Sequence, residues 1–279
     1  MHRINLEEKN IRCDLINDLN IESSDVITKG NIKIEKINVS GKDSKKINKS
    51  KGKYISIFFD DATDVDMRKD IIDVLSYELR MLLIEKKLYG KPSLIVGLGN
   101  PLSTPDSLGP KTIDNVITTR HFFDMNNVDK KYSSVAKIAP GVYATTGIET
   151  FNIIKGIIDE INPSFLIIID ALASTTISKV NKVIQITDSG IDPGSGVGNQ
   201  RKELSKKSLG IDVIAIGVPT VVNLHTIVKD VLSDYDVEEI LKDKENNFMV
   251  TPKEIDFTIE KLSFVLSKSI NNAVHNMTK

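Results

Sequence analysis

An α/β fold is what this 279-residue sequence predicts: a mostly parallel sheet with helices on both faces, plus an N-terminal β extension. Three observations carry that prediction. First, the continuous apolar runs SLIVGLG (93–99), FLIIID (165–170) and DVIAIGV (212–218) are each bounded by turn residues. They are too short for buried helices and read as strands covered on both faces. Second, stretches of helical period stand before and between them, and strands alternating with helices imply parallel pairs joined by crossovers. Third, Ile32, Ile34, Ile37 and Val39 alternate with polar residues and KYISIFF (53–59) reads as a further strand, which places a β extension at residues 15–65 and the α/β core at 66–279.

Along the chain, residues 1–30 are polar and show no sustained period. Ile32 and Ile34, then Ile37 and Val39, alternate with polar residues but slip by one position between the pairs, which predicts a strand with a bulge. The basic segment GKDSKKINKSKGK (41–53) reads as a solvated hairpin tip, and KYISIFF (53–59) as the returning strand. From Asp66, the spacing of Ile71, Val74, Leu75, Leu79 and Leu82 marks one helical face that stops near Gly90-Lys91-Pro92. Thr146 and Glu149 have capping-box spacing ahead of Ile153, Ile154, Ile157, Ile158 and Ile161. VIQIT (183–187) adds a strand. In the last helix, Thr251, Pro252 and Glu254 supply the starting signals, and Ile255, Ile259, Leu262, Leu266 and Ile270 form the stripe.

Composition narrows the function classes. The net charge is −1, from 37 basic and 38 acidic residues, so no global field draws the chain to nucleic acid or a membrane surface. The one cysteine, Cys13, excludes an internal disulfide framework and suits a reducing cytoplasm. No apolar stretch approaches the roughly 20 residues that cross a bilayer. The charged N-terminus lacks the apolar middle of a signal peptide. A soluble cytoplasmic protein is expected.

In parallel α/β sheets, reacting groups collect beyond the carboxyl ends of the strands. After the first buried run comes the stiff loop GLGNPLSTPDSLGP, with Asp106 as its one acid, and the second run ends on Asp170. Taken singly, each has a structural reading: a helix cap or loop bond for Asp170, turn chemistry for Asp106. Two acids from adjacent strand ends say more. Carboxylates brought together cannot both ionise easily, so the pair can act as general acid and general base toward water. Other chemistries fit less well. Ser195 in PGSGVG lacks the G-x-S-x-G pattern, and His2, His121, His225 and His275 show no zinc-ligand spacing, so neither metal nor cofactor is expected. Asp188-Ser189-Gly190 matches the short D-[ST]-G signature of pepsin-like enzymes. The better reading of 188–202 is a Gly-rich loop, with Asp188, Gly190, Gly194, Gly196 and Arg201, that borders a substrate groove.

IVGLGN…TPDSLGP, APGVYATTGIET, IIIDALAS, QITDSGIDPGSGVGNQRKELSK, AIGVPTVV and MVTPKEID resemble, in order, the signature blocks of the germination protease family of spore-forming bacteria. The resemblance implies an endopeptidase that degrades the small acid-soluble proteins coating spore DNA, in the cytoplasm of the developing spore and the spore core. It implies a fold like the hydrogenase-maturation peptidases, with Asp106 and Asp170 matching the two catalytic aspartates. It further implies a tetrameric zymogen that clips itself after an acidic residue, here between Asp14 and Leu15, making residues 1–14 a propeptide. Asp18-Leu19 is the fallback bond. The sequence departs from the family pattern at Cys13 and Ile16, in Pro101-Leu102 replacing a tryptophan, at Asn223, and in a short segment between His225 and Met249. Two rivals are a metallopeptidase adding His121 or His225 to the same acids, and a non-catalytic homologue that binds spore proteins.

Overall fold

The structure is a computed structural model and describes residues 15, 24–41, 44, 49–125, 128–193, 202–232 and 248–276. Its strands are β1 (Ser24–Lys29), β2 (Ile32–Val39), β3 (Gly52–Phe58), β4 (Ser93–Gly97), β5 (Val135–Ile138), β6 (Phe165–Ser174), β7 (Val183–Thr187), β8 (Asp212–Asn223) and β9 (Met249–Val250). They form one sheet in the order β1-β2-β3-β7-β8-β6-β4-β5, with β9 paired to β8. On one side of it β8, β6, β4 and the edge strand β5 run parallel. The N-terminal extension joins the same sheet through antiparallel pairs, β3 against β7 and β7 against β8. The α/β class is as expected from the sequence, and the extension makes the sheet mixed.

The longer helices are α1 (Val65–Glu85), α2 (Leu108–Asp114), α3 (Thr150–Ile161), α4 (Leu224–Val231) and α5 (Ile255–Val274). Both faces of the sheet are covered, each by its own apolar cluster. One face packs Ile95, Ile167, Ile169, Ile184, Ile186, Ile214 and Ile216 against α1, α2 and α5. The other packs Leu94, Val96, Leu166, Ile168, Leu172 and Val213 against α3 and against Ile191, Leu204 and Leu209. Alternate residues of each central strand therefore enter opposite clusters, which is why these runs are apolar at every position.

Four sequence-based expectations need correction. The slip in β2 is not a bulge, because its register against β3 is unbroken from Lys33↔Phe58 to Val39↔Gly52. The buried face changes instead. Ile32 and Ile34 enter the cluster beneath α1, while Ile37 and Val39 form a separate cluster with Tyr54 on the opposite face. At the changeover Lys36 Nζ, next on the α1 side, pairs with the buried Glu78 of α1 at 2.7 Å. Second, Thr146 does not cap α3. Residues 143–146 close a turn of their own at Gly147, and Glu149 stands at the cap position. Third, Thr251 does not cap α5, which starts after Glu254; its hydroxyl donates to the Thr220 carbonyl at 2.8 Å. Fourth, β6 and β8 run past the predicted ends, to Ser174 and Asn223, so Asp170 lies inside β6 rather than at its tip. The two strands continue because they keep pairing as far as Ser174↔Val222. Strands β1, β5 and β9 are additions to the expected set.

Candidate active site

The loop after β4 is built by close approach of backbone to backbone. Gly97 pairs with Ile169, and the next amide, Leu98 N–H, donates to the Ile169 carbonyl at 2.8 Å. A Cβ at Gly97 would lie 2.3 Å from the Gly109 carbonyl oxygen, and one at Gly109 would lie 2.1 Å from that of Leu98. These contacts pull the start of α2 onto the end of β4, so the chain between them must bend back sharply. Gly99 takes the bend at φ +115°, a conformation that side-chain-bearing residues rarely adopt. The carbonyl oxygen of Asp106 fills the space where its side chain would be, 2.0 Å from an added Cβ.

Asp106 ends a short 3-10 turn, Thr104–Asp106, whose first residues include Pro105. Its Oδ2 accepts the Asn100 N–H at 2.7 Å, and its own N–H donates to the Ser103 carbonyl at 2.9 Å. Asn100 Oδ1 in turn accepts the Leu102 N–H at 3.0 Å. The turn is tied to the sheet from outside by Thr220, whose hydroxyl donates to the Pro105 carbonyl at 2.7 Å. Thr220 is the extra residue of an irregularity in β8: Leu172 pairs with Pro219 and Ala173 with Val221. Such bulges re-aim a side chain, and here the one re-aimed grips the loop that carries Asp106.

Asp170 is buried, and its Oδ1 accepts the following Ala171 N–H at 3.0 Å. It lies on the same face as Leu166, Ile168 and Leu172. Directly across in β8 is Gly217, and across from Gly217 in β7 is Gln185. The three positions form one row across three strands on one face. Leu15 stands over that row. Its N–H donates to Gln185 Oε1 at 2.9 Å, and its Cδ1 lies 3.3 Å from where a Cβ of Gly217 would be. Sequence reasoning misses Gln185, Gly217 and Thr220. A polar side chain in the otherwise apolar strand VIQIT is the available signal, since a buried amide requires a partner.

Thus Asp106 and Asp170 come from β4's loop and from β6, neighbouring strands of the parallel core. Asp188 goes elsewhere. β7 runs antiparallel to β8, so beyond Thr187↔Ala215 the chain heads for the amino end of β8. There Asp188 Oδ1 accepts the Lys53 N–H at 2.7 Å, and its Oδ2 pairs with Lys86 at 2.5 Å, on the wall of a cavity of 670 Å³. Gly190 has φ +94° and packs on the Leu204 carbonyl, where Ile191 and Leu204 exchange backbone hydrogen bonds. Gly194, Gly196, Arg201, Asp14, Asp18, Leu19, Cys13 and Ser195 lie outside the described residues. Among the histidines, His121 stacks on Phe122 at 3.9 Å, and the His225 N–H donates to Asn223, the cap of α4. His275 is buried, with Nδ1 accepting the Ser133 N–H at 3.1 Å. Among the described residues no group of three or more His, Cys, Asp or Glu gathers as a metal-ligand set.

The family model described as germination protease matches residues 2–238 of this chain. The germination protease of Bacillus velezensis is 37% identical, over 88% of this chain and 84% of its own. That of Bacillus subtilis is 36% identical over the same shares, and that of Clostridium tetani 39% over 88% and 85%. Among solved structures, the [NiFe] hydrogenase maturation protease HycI from Thermococcus kodakarensis overlaps 64% of this chain and 92% of its own at 15% identity. Its TM-score is 0.36, too slight a likeness to bear on the assignment. The family model covers most of the sequence and relatives above a third identity extend across most of both chains, so this chain belongs to the germination protease family.

Proposed function

We propose that this chain is the endopeptidase that begins the breakdown of small acid-soluble, DNA-protecting proteins at spore germination, and that it cuts peptide bonds with Asp106 and Asp170. The observation that carries the mechanism is the origin of the two acids. One sits in a glycine-bracketed loop after β4 and the other inside the adjacent parallel strand β6, with the strands locked by the Leu98-to-Ile169 hydrogen bond. One carboxylate, ionised, takes a proton from water as the oxygen bonds to the scissile carbonyl carbon. The other, protonated, gives its proton to the leaving nitrogen as the carbon–nitrogen bond breaks. The dyad ends with the one proton it began with, so only water is consumed. In this mechanism the acid and base roles belong to the pair rather than to either residue.

In this reading residues 1–14 are a propeptide, removed by cleavage between Asp14 and Leu15, and 15–279 are the peptidase. The buried seat of Leu15 on the Asp170 row supports that choice of bond. The mature enzyme works in the spore core as a homotetramer, without a metal. Intact mass spectrometry of the full chain at mildly acidic pH tests the proposal. Loss of residues 1–14 is expected in the wild type, and a fall of at least about 1,000-fold in Asp106→Asn and in Asp170→Asn. Cleavage at the wild-type rate in either variant would end the two-aspartate mechanism.

A further inference from the structure

The mechanism needs two acids and water, yet the row beside Asp170 is shaped for something more. Gln185 is 1% exposed in a strand whose neighbours are all buried, and an amide there is costly unless bonded. Its Oε1 takes the N–H of Leu15. Gly217 leaves open a space that Leu172 fills and Leu15 borders: a Cβ added there would lie 2.4 Å from Leu172 Cδ1 and 3.3 Å from Leu15 Cδ1. Leu15 itself is 8% exposed and belongs to the apolar cluster with Leu172, Ile191 and Leu204. Since Asp170, Gly217 and Gln185 are in register, two strand spacings, about 10 Å, separate the backbones of the acid and the amide. Their side chains share one face. The nitrogen held by Gln185 is that of the peptide bond between residues 14 and 15.

We infer that Gln185, Gly217 and Leu172 form the subsite for the residue on the amine side of the cleaved bond. It accepts a leucine-sized aliphatic side chain, and Gln185 Oε1 receives the scissile N–H. The inference rests on the two-aspartate reading and adds residues to it. Its chemical logic is directional. When water adds to the carbonyl carbon, the nitrogen becomes pyramidal and needs a proton on its lone pair. Pinning the N–H to Gln185 fixes which face of the nitrogen carries that lone pair and keeps it turned to the proton donor. After the bond breaks, the free amine still has an N–H for Gln185, so the contact persists to product. An alanine would leave the pocket part-empty, and a charged residue would be desolvated in it.

The test uses the full chain and two readouts. In self-cleavage followed by intact mass, Leu15→Ala is expected to slow the reaction by on the order of 100-fold, and Gln185→Met by about 10- to 100-fold. Gln185→Glu, which keeps an acceptor oxygen, should recover most of the Gln185→Met loss. Gly217→Ala should slow the leucine chain, but combined with Leu15→Ala it should be faster than the product of the single effects by about tenfold, because Leu172, pushed aside by the added methyl, can move into the vacated space. The second readout needs no turnover: in Asp170→Asn, hydrogen exchange at the Leu15 amide is expected to be slow, and to speed up at least tenfold when Gln185→Met is added. Independent multiplication of the two shape changes, with exchange at Leu15 indifferent to Gln185, would overturn the subsite whatever the aspartates do. Retained cleavage in Asp170→Asn would instead sink the dyad, and the exchange result would still decide the subsite.

Discussion

Two acids, one in the loop after β4 and one inside the neighbouring strand β6, are held by opposite strategies. Asp106 is held locally: all but one of the described hydrogen bonds that fix its turn come from residues 97–109, and the bracket is backbone against backbone at Gly97, Gly99 and Gly109. Asp170 is held by the sheet. Its surroundings are assembled from β6, β7 and β8, and from Leu15, which is 170 positions from its partner Gln185. The local bracket fixes one acid by covalent closeness and has no room to adjust. The assembled row has side chains as its walls, and side chains can shift. An enzyme that must pre-position one acid and also admit a substrate gains from having one of each.

Paired glycine substitutions put that contrast under the largest load. Gly99→Ala sets a side chain at φ +115° and drives it into the Asp106 backbone, with no flexible group to yield. A loss of about 3 kcal/mol is expected in urea denaturation, with cleavage reduced on the order of 100-fold by displacement of the acid. Gly217→Ala meets the tip of Leu172, which can rotate away, and about 1 kcal/mol is expected. If Gly217→Ala proved the more destabilising, the division into a rigid bracket and a yielding row would be wrong.

The same contrast explains what is legible in the sequence. Asp106 stands out in GLGNPLSTPDSLGP because the residues that hold it are its neighbours, and stiff turn chemistry is written in consecutive letters. Asp170 is visible as a charge in an apolar run. What supports it is not: that Gln185 faces the same way as Asp170 follows from an antiparallel register with Gly217, and register between distant strands leaves no local mark. The changing face of β2 imitates a bulge for a related reason, since period alone does not reveal that α1 covers one half and Tyr54 the other. Both failed caps involve Thr hydroxyls that found partners nearer in space, Ile148 N–H for Thr146 and the Thr220 carbonyl for Thr251.

Thr220 is where the two strategies touch, and removing its hydroxyl gives a sharper, smaller test. Thr220→Val keeps the volume and deletes the bond to the Pro105 carbonyl, at a cost of about 1 kcal/mol. Because that bond is what connects the bracket to β8, cleavage should fall severalfold. Thr251→Val removes a comparable bond, to the Thr220 carbonyl, one step further from Asp106. Its stability loss should be similar and its effect on cleavage smaller. Equal effects on cleavage would mean that the bracket needs no anchor on the sheet.

The smallest expected effect separates pH acting on the fold from pH acting on the acids. His275 is held below the ordinary histidine range by burial, and accepting the Ser133 N–H at Nδ1 also favours the neutral ring. The folded state therefore keeps this ring neutral at pH values where the unfolded chain binds a proton. Its contribution is present in full above about pH 6.5 and is lost as pH falls below that, toward the depressed folded value, by at most about 1.4 kcal/mol per pH unit. Asp66, bonded by Lys69, Asp129, bonded first by the Lys131 backbone, and Glu260, bonded by Lys261, are all shifted downward and act only at lower pH. Urea midpoints of the Asp170→Asn chain should thus begin to drop near pH 6.5, and His275→Asn, which retains an acceptor for Ser133, should flatten that drop. The pH profile of cleavage should be the same in the wild type and in the His275→Asn variant wherever both chains stay folded. A profile that moved with this substitution would place the pH control of cleavage in the packing beneath α5 and not in the two acids.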